Sequence, residues 1–212
     1  MQALSIDKAG WLVAGPGVEI CPSPHFDERP AEDLAHLNTV VLHNISLPAG
    51  CFSTGVVRRF FCGTLDFDAY PELEDIRDLR VSSHFLVTRD GRIEQFVSCL
   101  ARAWHAGVSR FNGRTRCNDF TIGIEIEGTD FVPFESVQYD VLKALLAAVD
   151  ARFSLEYIVG HSDIAPGRKT DPGPCFDWPA LMREAERFGS PQFPGAAAQM
   201  SLSPLQPTGM RV

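Results

Sequence analysis

Apolar and polar positions divide the chain into stretches with distinct periods. "TVVLHN" (39–44) is a short β-branched run and predicts a buried strand. "TIGIEIEG" (121–128) alternates, so Ile122, Ile124 and Ile126 share one face of a strand while Thr121, Gly123, Glu125 and Glu127 share the other. "HFLVTRDGRIEQFV" (84–97) reads as a hairpin of two β-type runs joined at Asp90-Gly91, where glycine readily takes a positive φ. From Ser136 to Phe153 the apolar residues Val137, Val141, Leu142, Leu145, Leu146, Val149 and Phe153 keep helical spacing behind a serine suited to N-capping. A helix there covers the isoleucine face of the strand. "EYIVG" (156–160) predicts another short strand, and "WPALMREAERFG" (178–189) a final amphipathic helix with proline in its first turn. Strands flanked by helices, with one hairpin, predict an α/β fold: a single domain with a central mixed β-sheet.

The intervening segments are less regular. Residues 1–38 are rich in Pro, Gly and polar residues and read as an irregular arm packed on the domain. Residues 45–80 carry turn signals and one short helix near Pro71–Leu79, and such a long connection predicts a functional loop. The stretch from Ser190 to Val212 has Pro, Ala and Ser without periodicity and predicts a disordered tail beyond a single domain of residues 1–189. A net charge of -8 argues against a nucleic-acid-binding face, and the basic cluster Arg110 to Arg116 is too short to alter that. No apolar run approaches the roughly 18 residues of a membrane span, and no basic start precedes a long apolar stretch, so the expected location is the cytoplasm. In that setting the six cysteines are expected to be free thiols.

The densest collection of reactive side chains is "GHSDIAPGRKTDPGPCFDW" (160–178). His43 and His161 each stand at the end of a short apolar strand and lead into a Pro/Gly-bearing loop. Asp171 lies on a loop stiffened by Pro166, Pro172 and Pro174 and can fold back toward the same point. Two neutral imidazoles and a carboxylate, with a fourth position left to water, form a common ligand set for catalytic zinc. Glu125, pointing away from the isoleucine face, is then the candidate proton acceptor, and Lys169 a positive group for an oxyanion. The spacing alone is loose and equally admits hydrogen-bonded strand-end histidines, the reading kept for His25, His36 and His84. Asp163 and Asp177 read as a turn residue and a helix N-cap, and Cys175 as structural.

Longer motifs narrow the choice. "VVLHNISLP", "RVSSHFLVTRDGRIEQFV", "RAWHAGVSRFNGRTRCNDFTIGIEIEGTD" and the 160–178 segment together resemble the AmpD-type N-acetylmuramoyl-L-alanine amidases, zinc enzymes of the bacterial cytoplasm, from about Pro22 to Leu181. The resemblance implies one Zn2+ per chain in a groove at the sheet face, held by His43, His161 and Asp171. It makes Glu125 the catalytic glutamate and Lys169 the lysine beside the developing oxyanion. Arg80 and Arg116 match arginines that hold a stem-peptide carboxylate, while Asn44, Trp104 and His105 fall in motifs that line the groove. The implied substrate is a 1,6-anhydro-N-acetylmuramyl peptide of peptidoglycan recycling, cleaved between the lactyl carbonyl and L-alanine. The rival expectation is a recognition module of the same fold that binds muropeptides without hydrolysing them. Oligomeric state is left open.

Overall fold

In the computed structural model, which describes residues 3–13 and 15–196, the strands are β1 (Val18–Ile20), β2 (Phe26–Glu28), β3 (Thr39–Ile45), β4 (Phe85–Val87), β5 (Ile93–Gln95), β6 (Ala101–Ala103), β7 (Arg110–Phe111), β8 (Arg114–Thr115), β9 (Thr121–Glu127) and β10 (Tyr157–Gly160). The helices are α1 (Ala31–Leu34), α2 (Val56–Phe61), α3 (Ser136–Phe153), α4 (His161–Ile164) and α5 (Trp178–Met182). Six strands form one mixed sheet in the order β1-β5-β4-β9-β3-β10. The predicted hairpin is the antiparallel pair β4–β5, and the other neighbours in this sheet run parallel.

The long strands β3 and β9 lie side by side at its centre because their β-branched residues fill both faces of a pleated surface. On one face Ile122, Ile124 and Ile126 join Val40, Leu42 and Phe85 beneath α3, whose Leu142, Leu145 and Leu146 are almost fully buried. Each such leucine contributes about 1.5–3 kcal/mol by leaving water. The opposite face is covered by two separate clusters. Leu86 and Phe96 pack with Val57, Phe60 and Phe61 around α2, whereas Val41 and Val159 pack with Ala106, Phe120 and Ile164. Between these clusters β3 and β9 present His43 and Glu125, so the polar positions of the two central strands face a gap in the apolar cover.

Several boundaries differ from expectation for local reasons. The arm is not wholly irregular, since β1 extends the sheet edge beside β5 and β2 pairs with β6. The cap of α3 is Glu135, whose backbone N–H donates to the side chain of Gln138, rather than Ser136. The final helix stops at Met182, and a turn separates it from a 3-10 segment at Ala185–Phe188. The expected disordered tail is ordered at its start: Gln192 bridges alongside Tyr157, and Phe193 packs edge-on against Trp178. Residues 197–212 of that tail lie outside the described residues. The loop 45–80 carries α2, which turn-rich composition concealed. All six cysteines are free, and among the described residues no helix is long and apolar enough to cross a membrane.

Candidate active site

Strands β3 and β10 run parallel with Leu42 opposite Gly160, so His43, within β3, and His161, the first residue after β10, stand at the same level along the two strands. Asp171 returns to them because the backbone N–H of Ser162 donates to its carbonyl at 3.0 Å, tying the Pro-rich loop to α4. His43 Nδ1, His161 Nδ1 and Asp171 Oδ2 then form a triangle with every side 3.0 Å. Two imidazole nitrogens and one carboxylate oxygen converging on one point would hold a zinc ion and leave a further position for water. The donor set therefore suits a metal. Burial pulls His43 down to about 4, so its imidazole is neutral near pH 7 and offers a lone pair. Burial opposes ionisation of Asp171, but hydrogen bonds from His161 and His43 outweigh it and keep the carboxyl well below its usual range.

Glu125 is buried in the floor of the same site, and its Oε2 has no hydrogen-bond partner in the protein. Burial, reinforced by the Asp171 charge and opposed by Lys169, holds it well above the ordinary carboxylate range. Glu125 and Lys169 line one cavity of about 260 Å³ together with the triangle, Asn44, Trp104 and His105. A wider depression of about 720 Å³ adjoins it and shares Asn44, Lys169 and Asp171.

The sequence-derived candidates fall into two groups. Trp104 faces the cavity with its indole N–H donating to Asp27 at 3.0 Å, while Arg102 grips the same carboxylate with two nitrogens. Asn44 donates to Asp130 and to the Pro172 carbonyl, which braces the loop that carries Asp171. His105 lines the cavity while largely buried, and its Nδ1 lies 3.0 Å from His43 Nε2. Arg80 and Arg116 do not line the cavity. Arg80 is exposed between lining residues Leu79 and Val81, and Arg116 is exposed with its Nε 2.9 Å from Asp119. Cys175 stays outside the triangle, its thiol directed at the Asp130 carbonyl. Phe60 and Phe61, which wall the cavity, escaped sequence reading because the short α2 sits inside a turn-rich stretch.

A mixed α/β sheet with a two-histidine, one-carboxylate cluster and a buried unpaired carboxylate beside it is the construction of a metal-assisted hydrolase. The chain belongs to the N-acetylmuramoyl-L-alanine amidase family, whose sequence profile matches residues 34–174. It is 50% identical over 172 residues to the 1,6-anhydro-N-acetylmuramyl-L-alanine amidase AmpD of Salmonella typhimurium strain SL1344, covering 80% of this chain and 89% of that protein. It is also 50% identical over 173 residues to AmpD of Escherichia coli K12, covering 81% and 92%. A crystal structure of a selenomethionine AmpD derivative superposes with a TM-score of 0.76 at 46% identity, over 83% of this chain and 96% of that one.

Proposed function

We propose that this chain is a zinc-dependent, cytoplasmic 1,6-anhydro-N-acetylmuramyl-L-alanine amidase of peptidoglycan recycling. The observation that carries the reading is the equal-sided triangle of His43, His161 and Asp171 with unpartnered Glu125 beside it. The AmpD names of relatives at 50% identity supply the substrate. Bound zinc supplies Lewis acidity for a carbonyl oxygen and lowers the pKa of water toward about 7.

The remaining chemistry belongs to the chain. Glu125, unpartnered and drawn above the usual carboxylate range, accepts the proton of the attacking water as its oxygen bonds to the lactyl carbonyl carbon. As the C–N bond breaks, Glu125 returns that proton to the alanine nitrogen, leaving a lactyl carboxylic acid and a free peptide amine. Lys169 faces the oxyanion of the tetrahedral intermediate. The cavity at the triangle and the depression adjoining it offer room for the sugar and peptide halves of the amide. Trp104 and Asn44 flank the substrate, and the exposed Arg80 and Arg116 meet carboxylates of the stem peptide, for which a guanidinium fork is suited.

Zinc-loaded protein incubated with anhydromuramyl-tripeptide is expected to release the peptide, and Glu125→Ala protein to release far less. Binding without release by the wild type would leave a muropeptide-recognition module instead.

A further inference from the structure

We propose that His105 and Ala106, held in place by Asn118, are positioning residues that fix both histidine ligands in the tautomer presenting Nδ1 to the metal. The inference rests on the reading of His43, His161 and Asp171 as ligands, and goes beyond it by assigning the groups behind them. His43 points Nδ1 into the triangle and Nε2 at His105 Nδ1, 3.0 Å away. With the Nδ1 lone pair committed to the metal, the His43 proton sits on Nε2 and His105 Nδ1 accepts it as a hydrogen bond. The His105 proton is thereby confined to Nε2, which faces Thr121 Oγ1 at 3.3 Å. The threonine hydroxyl in turn donates to the Cys117 carbonyl at 2.7 Å. Every donor in this buried chain meets one acceptor, and reversing any one proton would set two lone pairs or two hydrogens face to face.

The second ligand is oriented by the neighbouring residue. His161 points Nδ1 at Asp171 and Nε2 at the Ala106 carbonyl, 3.0 Å away. Asn118 Oδ1 accepts from the backbone N–H of both His105 and Ala106, at 3.1 and 2.7 Å, so one side chain anchors both orienting groups. The ring of His105 has room only because the strand residue beneath it is glycine: a Cβ on Gly123 would fall 2.5 Å from His105 Cγ. A carbonyl or a second polar group on the far nitrogen of a ligand histidine fixes the ring and raises its basicity, and losing such a partner weakens metal binding by about tenfold to a hundredfold.

The test uses the full chain and Zn2+ alone, titrated against a chromophoric chelator. His105→Phe keeps a ring but no nitrogen and is expected to raise the zinc dissociation constant by about tenfold to a hundredfold. Thr121→Val is expected to shift it in the same direction by less. Leu145→Ala, a core change under α3, is expected to lower the urea midpoint yet leave zinc affinity unchanged, separating positioning from general destabilisation. Long-range 1H–15N spectra of the zinc-loaded wild type should show His43, His105 and His161 protonated at Nε2. Wild-type zinc uptake combined with unchanged affinity in His105→Phe, or a His105 proton on Nδ1, would overturn this inference alone. No zinc uptake by the wild type would overturn the ligand reading and this inference with it. If His105→Phe fails to fold, the wild-type spectra and Thr121→Val decide the matter.

Discussion

His43 and Glu125 are direct partners in the parallel register of β3 and β9, so the proposed ligand and the proposed base stand on the same face of adjacent strands. The sheet ladder, rather than a loop, sets their separation. A base held this rigidly can be changed without disturbing the ligands. Glu125→Gln is expected to lower kcat by about a hundredfold to ten-thousandfold, the usual worth of a positioned proton acceptor. Metal analysis should still find one zinc per chain, and loss of zinc in this variant would show that Glu125 supports the ligands instead.

The same burial has a thermodynamic consequence in metal-stripped protein. Glu125 is held above its unfolded value, so its contribution to stability is fully present below about pH 4, the unfolded carboxylate range, and is lost as pH rises through the folded pKa. Glu125→Gln removes the charge that burial disfavours. In urea titrations the variant should match the wild type near pH 4 and exceed it by on the order of 1–3 kcal/mol at pH 8, the cost of an unsatisfied buried polar group. A gap that narrows with rising pH would contradict the assigned direction.

The Asp171 carboxylate closes two of the triangle's three sides. Asp171→Ala should therefore reduce zinc content from one per chain to a trace after dialysis. Saturating zinc at a hundredfold above its dissociation constant stabilises a protein by about 2.7 kcal/mol. The wild type should show that increment as a rise in Tm and the variant should not. An equal rise in both would remove Asp171 from the ligand set.

Asp27 lies outside the cavity but holds the indole N–H of Trp104 while Arg102 clamps the same carboxylate. Trp104 also stacks at 6.3 Å on His25. Asp27→Ala leaves the metal cluster and Glu125 untouched and frees the indole. KM is expected to rise about twofold to tenfold, the worth of one lost hydrogen bond, with kcat little changed. A fall in kcat at constant KM would take Trp104 out of ground-state binding.

How much of this was legible in the sequence depended on the range of the interactions. His43 and His161 announced themselves because each ends a short β-branched strand, and strand period placed Glu125 on the face opposite three isoleucines. The α3 stripe and the DG hairpin were equally local signals. The setting of His105 was not visible, since it depends on the missing side chain of Gly123, and on Thr121, reached only through the fold. The pairing of Gln192 beside Tyr157 was hidden for a similar reason: edge-strand addition uses backbone groups, which composition does not reveal. Phe60 and Phe61 reach the cavity on a helix too short for its period to register.

Arg29 shows the same limit most sharply, because a lone arginine in an irregular arm reads as solvated. It is instead buried just after β2, with its guanidinium donating to the carbonyls of Cys99, Asn118, Asp119 and Thr121. Burial lowers it only to about 10, so it stays charged at neutral pH. Asn118 and Asp119 belong to the segment that leads into β9, which opens at Thr121 and carries Glu125, and Cys99 to the connection before β6. Arg29→Leu keeps apolar bulk but strands several buried carbonyls, each costing about 1–3 kcal/mol when unsatisfied. The variant is expected to lose at least about 3 kcal/mol of stability by urea denaturation, a loss reserved for buried polar networks and large core cavities. A loss below about 1 kcal/mol, the ordinary effect of a surface change, would mean that water replaces the guanidinium and that the arm is not a structural tie.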